Sequence, residues 1–320
     1  MLKQFRQRLG HVAVLLTGLA LLNFCLIRIH PVDPAHRHWG PGSSRESLER
    51  LQAQRASEKP FLTHLRDWGS RLFKGDLGYS TLQHRPVSEL LAEAMPATLQ
   101  LAGLALLLHF GLGCLWGLGS GLLDDRLGGS LLRALSVVVH ALPVFWLALV
   151  FIRIFSIELE WLPPGQMSSL QGSAAGFWQR LGDRLQHLVL PVTVLGITGA
   201  ALTARYVQAH MQQVLQQDYI RLALAKGLSK RHVMLRHALP NALLPVVTLA
   251  GLHLPLLFSG VFVIEVIFAW PGMGRLAYEA YFNGDDDVIF AVNLFAGVMV
   301  VLGNLLADLL YPVVDPRARS

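Results

Sequence analysis

Charged residues and cysteines are scarce in this sequence of 320 residues. Only 15% of its residues are charged and 53% are apolar, whereas an ordinary soluble domain has about 25% charged residues. This balance excludes intrinsic disorder and argues against a single soluble domain. The two cysteines, Cys25 and Cys114, lie in separate apolar stretches, so they provide neither a disulfide framework nor a metal cluster.

Motifs for common hydrolytic reactions are also missing from the sequence. There is no G-x-x-x-x-G-K-[S/T] phosphate loop, so the chain cannot hydrolyse ATP by itself. There is no H-E-x-x-H, no G-x-S-x-G and no Cys/His cluster, which leaves a membrane protease or hydrolase with little support. We therefore expect that the chain is not an enzyme and binds no metal or cofactor of its own.

The main feature of the sequence is a series of long apolar stretches that contain no Asp, Glu, Lys or Arg. Each is long enough for a helix to cross a hydrocarbon core about 30 Å thick, and lipid cannot satisfy the backbone of an open strand. The first stretch lacks a small-x-small cleavage site before Pro31, so we expect a retained anchor rather than a signal peptide. We predict six membrane-spanning helices, at residues 9–27, 94–123, 134–152, 185–204, 237–264 and 288–307.

The distribution of lysine and arginine predicts the orientation. Basic residues are concentrated at both termini and between the fourth and fifth apolar runs, whereas the loop after the fifth run is acidic. Short basic loops remain in the cytoplasm, so both termini and residues 205–241 are expected there. We divide the chain into an anchor helix (1–29), an external segment (30–95) and a membrane core (96–320).

Short elements are predicted in the external segment. A polar helix is expected at 44–55, with Ser44 as its N-cap, and an amphipathic helix at 60–73. Residues 75–78, Gly-Asp-Leu-Gly, have the composition of a turn. The segment is too small for a catalytic domain, so we interpret it as a cap over the mouth of a pathway.

Glycine and proline positions predict how the helices pack and bend. Gly113, Gly117 and Gly121 recur every four residues in the second run, which gives it a face that a neighbouring helix can approach closely. Prolines inside later runs are expected to kink or open those helices. They are Pro143, Pro191, Pro245 and Pro255.

A basic segment with helical periodicity, residues 205–241, joins the fourth and fifth runs, and we call it the elbow. Gly227 interrupts its periodicity, and Ser229 can cap a second helix. The small residues Ala223, Ala225 and Gly227 offer a surface on which a partner can dock; a basic hairpin lying on anionic lipid is the alternative. The expected apolar stripes are Val214, Leu215, Tyr219, Leu222 and Ala223 in the first helix and Val233, Leu235 and Ala238 in the second.

The elbow resembles the EAA loop of ABC-importer permeases. The likeness is carried by Tyr-Ile-Arg-Leu-Ala-Leu-Ala-Lys-Gly-Leu at 219–228 and Arg-His-Ala-Leu-Pro-Asn-Ala at 236–242. The chain has Arg221-Leu222 where the broad pattern has Glu-Ala, and His237 where an aliphatic residue is usual. These departures are typical of the dipeptide, oligopeptide and nickel branch. The positions that keep the pattern are Ala223, Gly227, Leu239 and Pro240.

Other stretches are similar to the same branch. They are Gly-Asp-Leu-Gly-Tyr-Ser at 75–80 with Arg-Pro-Val at 85–87, Pro-Ala-Thr-Leu at 96–99, Phe-Ala-Trp-Pro-Gly-Met-Gly-Arg at 268–275 and Asp-Pro-Arg at 315–317. The likeness therefore covers nearly the whole chain in the order of the family.

The resemblance implies an all-α polytopic membrane protein of the type I ABC-importer permease class, with six transmembrane helices and a small external loop domain between the first two. It implies a bacterial inner membrane, two cytoplasmic ATPases that use ATP and Mg²⁺, a second permease subunit (a paralogue) and an external solute-binding protein, with no role for nucleic acid. The implied solute is a dipeptide or oligopeptide. Nickel, a metal chelate or a polyamine stays open as the solute, and a proton-coupled carrier is the second functional class.

Candidate sites follow from the same resemblance. The elbow is expected to couple the permease to its ATPase through Tyr219, Arg221, Ala223, Ala225, Gly227, Leu228, Leu239, Pro240 and Asn241. An external rim is expected at Glu265, Trp270, Pro271, Gly272 and Arg275, with Trp270 at the membrane interface. Glu265 and Arg275 are expected as a solvated ion pair or isolated interfacial charges, and a contact with the binding protein is the alternative.

Ionisable residues inside the apolar runs give the remaining expectations. Glu265 and Asp308 are the only carboxylates there, and both are expected at hydrated span ends, which argues against a proton-coupled carrier. His109, His140 and His253 lie in separate runs, where we expect buried, hydrogen-bonded side chains rather than metal ligands.

Overall fold

A computed structural model of the chain describes residues 2–29, 61–123, 127–169, 176–243, 246 and 261–314. The helix predicted at 44–55 and most of the fifth predicted span, with Pro245, Pro255 and His253, lie outside the described residues.

The described part of the chain is mostly helical, as predicted. The helices with described bounds are α1 (Leu2–Ile29), α2 (Phe61–Phe73), α3 (Val87–Leu122), α4 (Leu127–Ala141), α5 (Val144–Phe151), α6 (Phe177–Leu215), α7 (Asp218–Ala225), α8 (Lys230–Val233), α9 (Met273–Asn283) and α10 (Asp286–Val314). Residues 239–243 and 261–267, at the two ends of the fifth predicted span, are also helical. Two of them continue as π-helices, α5 into Ile152–Glu158 and α8 into Met234–Ala238. A short hairpin pairs β1 (Tyr79–Ser80) with β2 (Arg85–Pro86) in antiparallel register.

The chain folds into two compact units. The first comprises Met1–Pro96 with Gly272–Met299, and the second comprises Ala97–Pro271 with Val300–Ser320. The elbow belongs to the second unit, and the hairpin belongs to the first.

Three described helices are long and apolar enough to cross a membrane unaided: Val87–Leu122, Phe177–Leu215 and Asp286–Leu305. They contain most or all of the second, fourth and sixth predicted spans. α1 covers the first predicted run as a helix, with a shorter apolar part at Val14–Cys25. The helix expected at 60–73 is also present, as α2.

The third predicted span is not one helix. α4 ends at Ala141 and α5 begins at Val144, with a bend of 102° between Leu127–Ala141 and Val144–Glu158. Pro143 sits at the break with an extended backbone (φ −61°, ψ 134°). A proline cannot donate an amide hydrogen bond and crowds the preceding turn, so it breaks the helix here instead of kinking it. By contrast, α6 runs through Pro191 without interruption.

The glycine face of α3 packs directly against α6 in the second unit. A Cβ atom at Gly113 would lie 2.8 Å from Cβ of Thr203, and one at Gly117 would lie 2.5 Å from the carbonyl oxygen of Ala204. One at Gly121 would lie 3.1 Å from Cβ of Met211, two turns further along α6. The predicted close approach of a neighbouring helix is confirmed, and the glycine face of α3 functions in helix packing.

In the first unit, α1 is joined to α10 by a polar contact between apolar helices. Asn293 Nδ2 donates to Asn23 Oδ1 at 2.9 Å, and Asn23 is nearly buried. One turn away on each helix, Leu19 fills the space above Gly297. Hydrogen bonds between amide side chains of neighbouring transmembrane helices contribute to helix association.

The α3–α6 contact yields a direct test. Gly117→Ala is expected to destabilise the protein by about 1–3 kcal/mol, because the added methyl group meets backbone that cannot rotate away. The measurement is the midpoint of thermal unfolding in detergent.

Gly111→Ala is the matched control, since no heavy atom lies within 4 Å of the added Cβ on the same helix. This variant should be neutral or slightly stabilising, because alanine favours a helix by up to about 1 kcal/mol over glycine. Equal midpoints for the two variants would contradict the packing assignment.

Candidate functional site

The elbow folds as two short helices joined by a left-handed turn. α6 ends at Leu215, α7 follows from Asp218, and the chain then turns at Gly227, where φ is +82°. Side chains rarely adopt this backbone conformation, so glycine suits the bend. α8 begins next, and Ser229 Oγ accepts a hydrogen bond from the amide of His232 at 3.3 Å. The predicted bend and N-cap are therefore confirmed.

An apolar cluster holds the elbow on the membrane helices. Ile220 and Ala223 of α7 pack beside Val233 and Ala238 of the second elbow helix. All four side chains are buried, with Ile220 only 2% exposed. The cluster is completed by Met211, Ala242, Leu118, Val214, Leu215 and Met234.

The predicted apolar stripe of the first elbow helix is wrong in part. Tyr219 and Leu222 are 43% and 57% exposed, whereas Ile220 and Ala223 face the cluster. Residues three apart share a helix face, so the pair 220 and 223 turns inward and the pair 219 and 222 turns outward. Ala223 therefore cannot contribute to a docking surface, although Ala225 and Gly227 remain exposed.

The second elbow helix shows a similar shift. Leu235, expected on the buried stripe, is mostly exposed, while Val233 and Ala238 are buried. Residues Met234–Ala238 form a π-helix. Its wider turn moves the apolar spacing away from the α-helical period on which the prediction rested.

The outer face of the elbow combines apolar and basic side chains. Leu228, Pro240 and Asn241 are exposed, and Leu239 is half-buried. Asn241 Nδ2 donates to the carbonyl of His237 at 2.8 Å. The exposed lysines and arginines between α7 and Asn241 are Arg221, Lys226, Lys230, Arg231 and Arg236.

The external rim differs from its prediction. Glu265 is fully buried, and Thr98 Oγ1 donates to its carboxylate at 2.6 Å. Trp270 is also fully buried, and its indole Nε1 donates to the carbonyl of Ala97 at 3.0 Å. The Trp270 amide donates a hydrogen bond to the Glu265 carbonyl at 2.8 Å, which closes a turn that holds both side chains in the interior. A solvated Glu265 and an interfacial Trp270 are therefore both wrong.

The remaining rim residues have separate surroundings. Pro271 is exposed and Gly272 is buried. Arg275 is half-buried, and its Nε donates to Glu279 at 2.7 Å, one helical turn along α9.

A contact between the hairpin and the start of α10 was not foreseen. Asp285 is buried, and its Oδ2 accepts from the Leu82 amide at 3.2 Å and from the hydroxyl of Ser80. Gly284, in the left-handed conformation (φ 60°), ends α9 just before it. In the sequence Asp285 contributes only to the acidic charge of its loop, because no local pattern links residues 205 positions apart.

A second carboxylate secures the same hairpin. The Tyr79 amide donates to Asp287 Oδ2 at 3.2 Å, and the Arg71 guanidinium lies 3.8 Å from that oxygen. Gly78, at φ +94°, packs so closely that a Cβ atom would lie 2.1 Å from Asp287 Oδ2. The Gly-Asp-Leu-Gly-Tyr-Ser motif thus folds as a turn fitted to two aspartates.

Comparison with known proteins establishes the family. The profile of the binding-protein-dependent transport system inner membrane component family matches residues 111–320. The chain belongs to this family. It is a membrane permease component of an ABC importer, and the ATPase role belongs to separate subunits.

Curated relatives of this permease match along nearly their whole lengths. The oligopeptide transport system permease protein AppB of Bacillus subtilis (strain 168) is 35% identical over 313 residues, 98% of this chain and 97% of the relative. The di/tripeptide transport system permease protein DppB of Pseudomonas aeruginosa (strain UCBPP-PA14) is 34% identical over 337 residues, 100% of this chain and 99% of the relative. A putative peptide transport system permease protein of Brucella abortus (strain 2308) is 35% identical over 98% of both chains.

Solved structures agree on the fold. A chain of the MetNI methionine ABC transporter, in an inward-facing conformation, matches with a TM-score of 0.57 at 16% identity. The match covers 71% of the permease and 97% of that chain. The permease therefore shares the fold of an ABC transporter chain.

The histidines of the permease have different environments. His109 is buried between α3 and α6, where its Nε2 lies 2.8 Å from Thr203 Oγ1. His140, at the end of α4, is exposed, so the expectation of a buried side chain is wrong at this position. Within the described residues, no three His, Cys, Asp or Glu side chains are arranged to hold a metal ion.

The two faces of α7 can be separated by mutation. Ile220→Ser is expected to destabilise the permease by about 2–5 kcal/mol, because it removes a buried side chain from the apolar cluster. Leu222→Ser, an equivalent change on the outer face, is expected to alter stability by less than about 0.5 kcal/mol. Thermal unfolding in detergent measures both, and a larger loss for Leu222→Ser would reverse the assignment of faces.

Proposed function

We propose that this chain is one of the two permease subunits of an ATP-driven peptide importer, and that the outer face of the elbow seats in a groove of a cytoplasmic ATPase. The peptide assignment is supported by the names of relatives that match at 34–35% identity along nearly the whole chain. The single observation that carries the coupling role is the exposed apolar and basic face formed by Tyr219, Leu222 and the surrounding cations.

The proposed assembly contains the chain, a paralogous permease, two ATPases that use ATP and Mg²⁺, and an external solute-binding protein in a bacterial inner membrane. The chain supplies six transmembrane helices, with both termini and the elbow in the cytoplasm. Residues 1–29 are the anchor helix, 30–95 the external segment and 96–320 the core. Basic loops support this orientation, since they are retained on the cytoplasmic side.

Coupling follows from how the elbow is attached. Side chains of both elbow helices interlock with Met211 of α6 and Leu118 of α3. Closely packed interiors transmit displacement because they have little free volume. When the ATPases close on ATP, movement of the elbow would therefore carry the ends of α3 and α6 with it.

Exposed leucine on a polar segment suits a partner interface. Leu222 and Tyr219 would fill the ATPase groove, and the five cations around them would face acidic groups at its edge. Leu222→Ser is therefore expected to reduce the amount of ATPase that co-purifies with the permease by about tenfold, the effect of losing one interface anchor. Undiminished co-purification would contradict docking through this face.

Charge at the turn provides a second test with a matched pair. Gly227 is exposed and no heavy atom lies within 4 Å of a Cβ built there. Asp and Asn both tolerate the left-handed conformation, so they differ in charge and little else. Gly227→Asp is expected to weaken ATPase association because it places a negative charge in a basic surface, whereas Gly227→Asn is expected to keep most of it.

ATPase co-purification and membrane insertion are measured for both variants. Equal loss in Gly227→Asp and Gly227→Asn would assign the effect to backbone strain instead of charge. Retention in both would contradict the docking assignment.

A further inference from the structure

We propose that Arg184 and Gln100 form a carboxylate site inside the permease, where a peptide places its C-terminal carboxylate during transport. The inference rests on the proposed function, which makes peptides the solute. Both residues belong to the second unit, Arg184 near the start of α6 and Gln100 in the first half of α3.

The guanidinium of Arg184 is incompletely hydrogen-bonded. Its Nη2 donates to Gln100 Oε1, whereas its Nε is buried and has no hydrogen-bond partner. Among the residues that the structure describes, this Nε is the only buried side-chain nitrogen without a partner. A charged donor that is withdrawn from water is costly unless another group completes its hydrogen bonds. This deficit distinguishes Arg184 from the exposed cations of the elbow.

No described carboxylate neutralises Arg184. Asp183 precedes it in the chain, but the Asp183 carboxylate accepts from the Ser169 amide at 2.9 Å and lies 3.5 Å from His187 Nδ1. In the part of the chain that the structure describes, no Asp or Glu forms an ion pair with Arg184. A half-buried cation without a counterion favours a ligand that brings a negative charge.

The side of α6 that carries Arg184 faces protein. Leu185 and Val189, one turn apart, are exposed and mark the side of the helix that faces lipid. His187, three residues beyond Arg184, is buried. The hydrogen bond to Gln100 shows that the guanidinium is directed toward α3.

The depth of Arg184 separates it from lipid headgroups. Phe177 and Trp178, at the start of α6, are 70% and 78% exposed, as is typical of aromatic side chains at the membrane interface. Arg184 lies six residues further along, which is about 9 Å deeper on a helix that rises 1.5 Å per residue. Ionisable side chains that lie inside a membrane and face protein mark solute pathways. The anion is therefore expected to arrive as solute, not as a lipid phosphate.

The donors of the pair fit a carboxylate. Gln100 Oε1 accepts from Arg184, so the Nε2 amide group of Gln100 remains a donor beside the guanidinium. Both side chains are half-buried, so a solute can approach them. A guanidinium binds the two oxygens of a carboxylate in a fork. A peptide with a free C-terminus carries this group ionised at neutral pH, whereas its N-terminal ammonium would be repelled by Arg184.

The test uses the transporter assembled in proteoliposomes with its ATPases, second permease and binding protein. The measurement is the initial rate of uptake of trialanine and of trialanine amide, which lacks the carboxylate, each at a concentration that saturates the binding protein. The wild-type complex is expected to take up trialanine about tenfold faster, the effect of one hydrogen bond to a charged group. Arg184→Gln is expected to take up both peptides at equal rates.

The ratio of the two rates separates a ligand contact from a structural role. A variant that only folds less well loses both rates together and keeps the ratio. Arg184→Lys retains the charge without the fork, so it is expected to keep part of the preference. Arg180→Gln, which changes an exposed arginine one turn earlier on α6, is the matched control and is expected to keep the wild-type ratio.

Gln100→Glu tests the missing counterion without any solute. The new carboxylate would pair with Arg184, so the thermal unfolding midpoint of the complex is expected to rise by about 2–4 °C. The preference for trialanine is expected to be lost, because the site is then filled. Gln186→Glu, an exposed position on α6, is the control and should leave the midpoint unchanged. A lower midpoint for Gln100→Glu would overturn the proposal, because Arg184 would not lack a counterion.

The remaining outcomes separate this inference from the function on which it rests. If the wild-type complex takes up both peptides at equal rates, or if Arg184→Gln keeps the wild-type ratio, the carboxylate site is refuted while the importer stands. If the wild-type complex takes up neither peptide, the proposed function is refuted together with the site.

Discussion

Apolar packing, not ion pairing, fixes the elbow to the membrane helices. Ile220, Ala223 and Val233 are buried against Met211, so a helix of only eight residues acquires a defined orientation. The ion pair at its base, Arg221 with Asp218, spans 3.8 Å between exposed groups, and such pairs contribute little. The cations of the elbow are consequently exposed and available to bind a partner. The proposed coupling depends on this division between an apolar inner face and a basic outer face.

The fold was predictable where composition alone decides the outcome. The second, fourth and sixth runs became helices long enough to span a membrane, because lipid imposes helix on any apolar run of that length. Gly227 and Ser229 were predictable for a different reason, since a left-handed turn and an N-cap are local chemistry. The break at Pro143 was located correctly, but its size was not, because the bend depends on how the flanking helices pack.

The candidate site was less predictable because its decisive contacts are distant in sequence. Almost every position of α7 is apolar or small, so periodicity could not decide whether Ile220 or Leu222 faces inward. Glu265 looked hydrated at a span end, but its partner Thr98 lies 167 residues away. A single sequence shows where a residue lies in an apolar run. It does not show which other helix packs against that residue.

The second unit combines a tightly packed pair of helices, α3 and α6, with segments that are bent or π-helical. α3 and α6 meet through glycine contacts that leave no room for sliding, since a methyl group at Gly117 would meet backbone at 2.5 Å. Next to this pair, the chain bends by 102° at Pro143, and π-helices follow both α5 and α8. π-helical turns are rare and occur frequently at functional sites. A displaced elbow would therefore move α3 and α6 as one body, while the bend and the π-helices absorb the change in backbone angle.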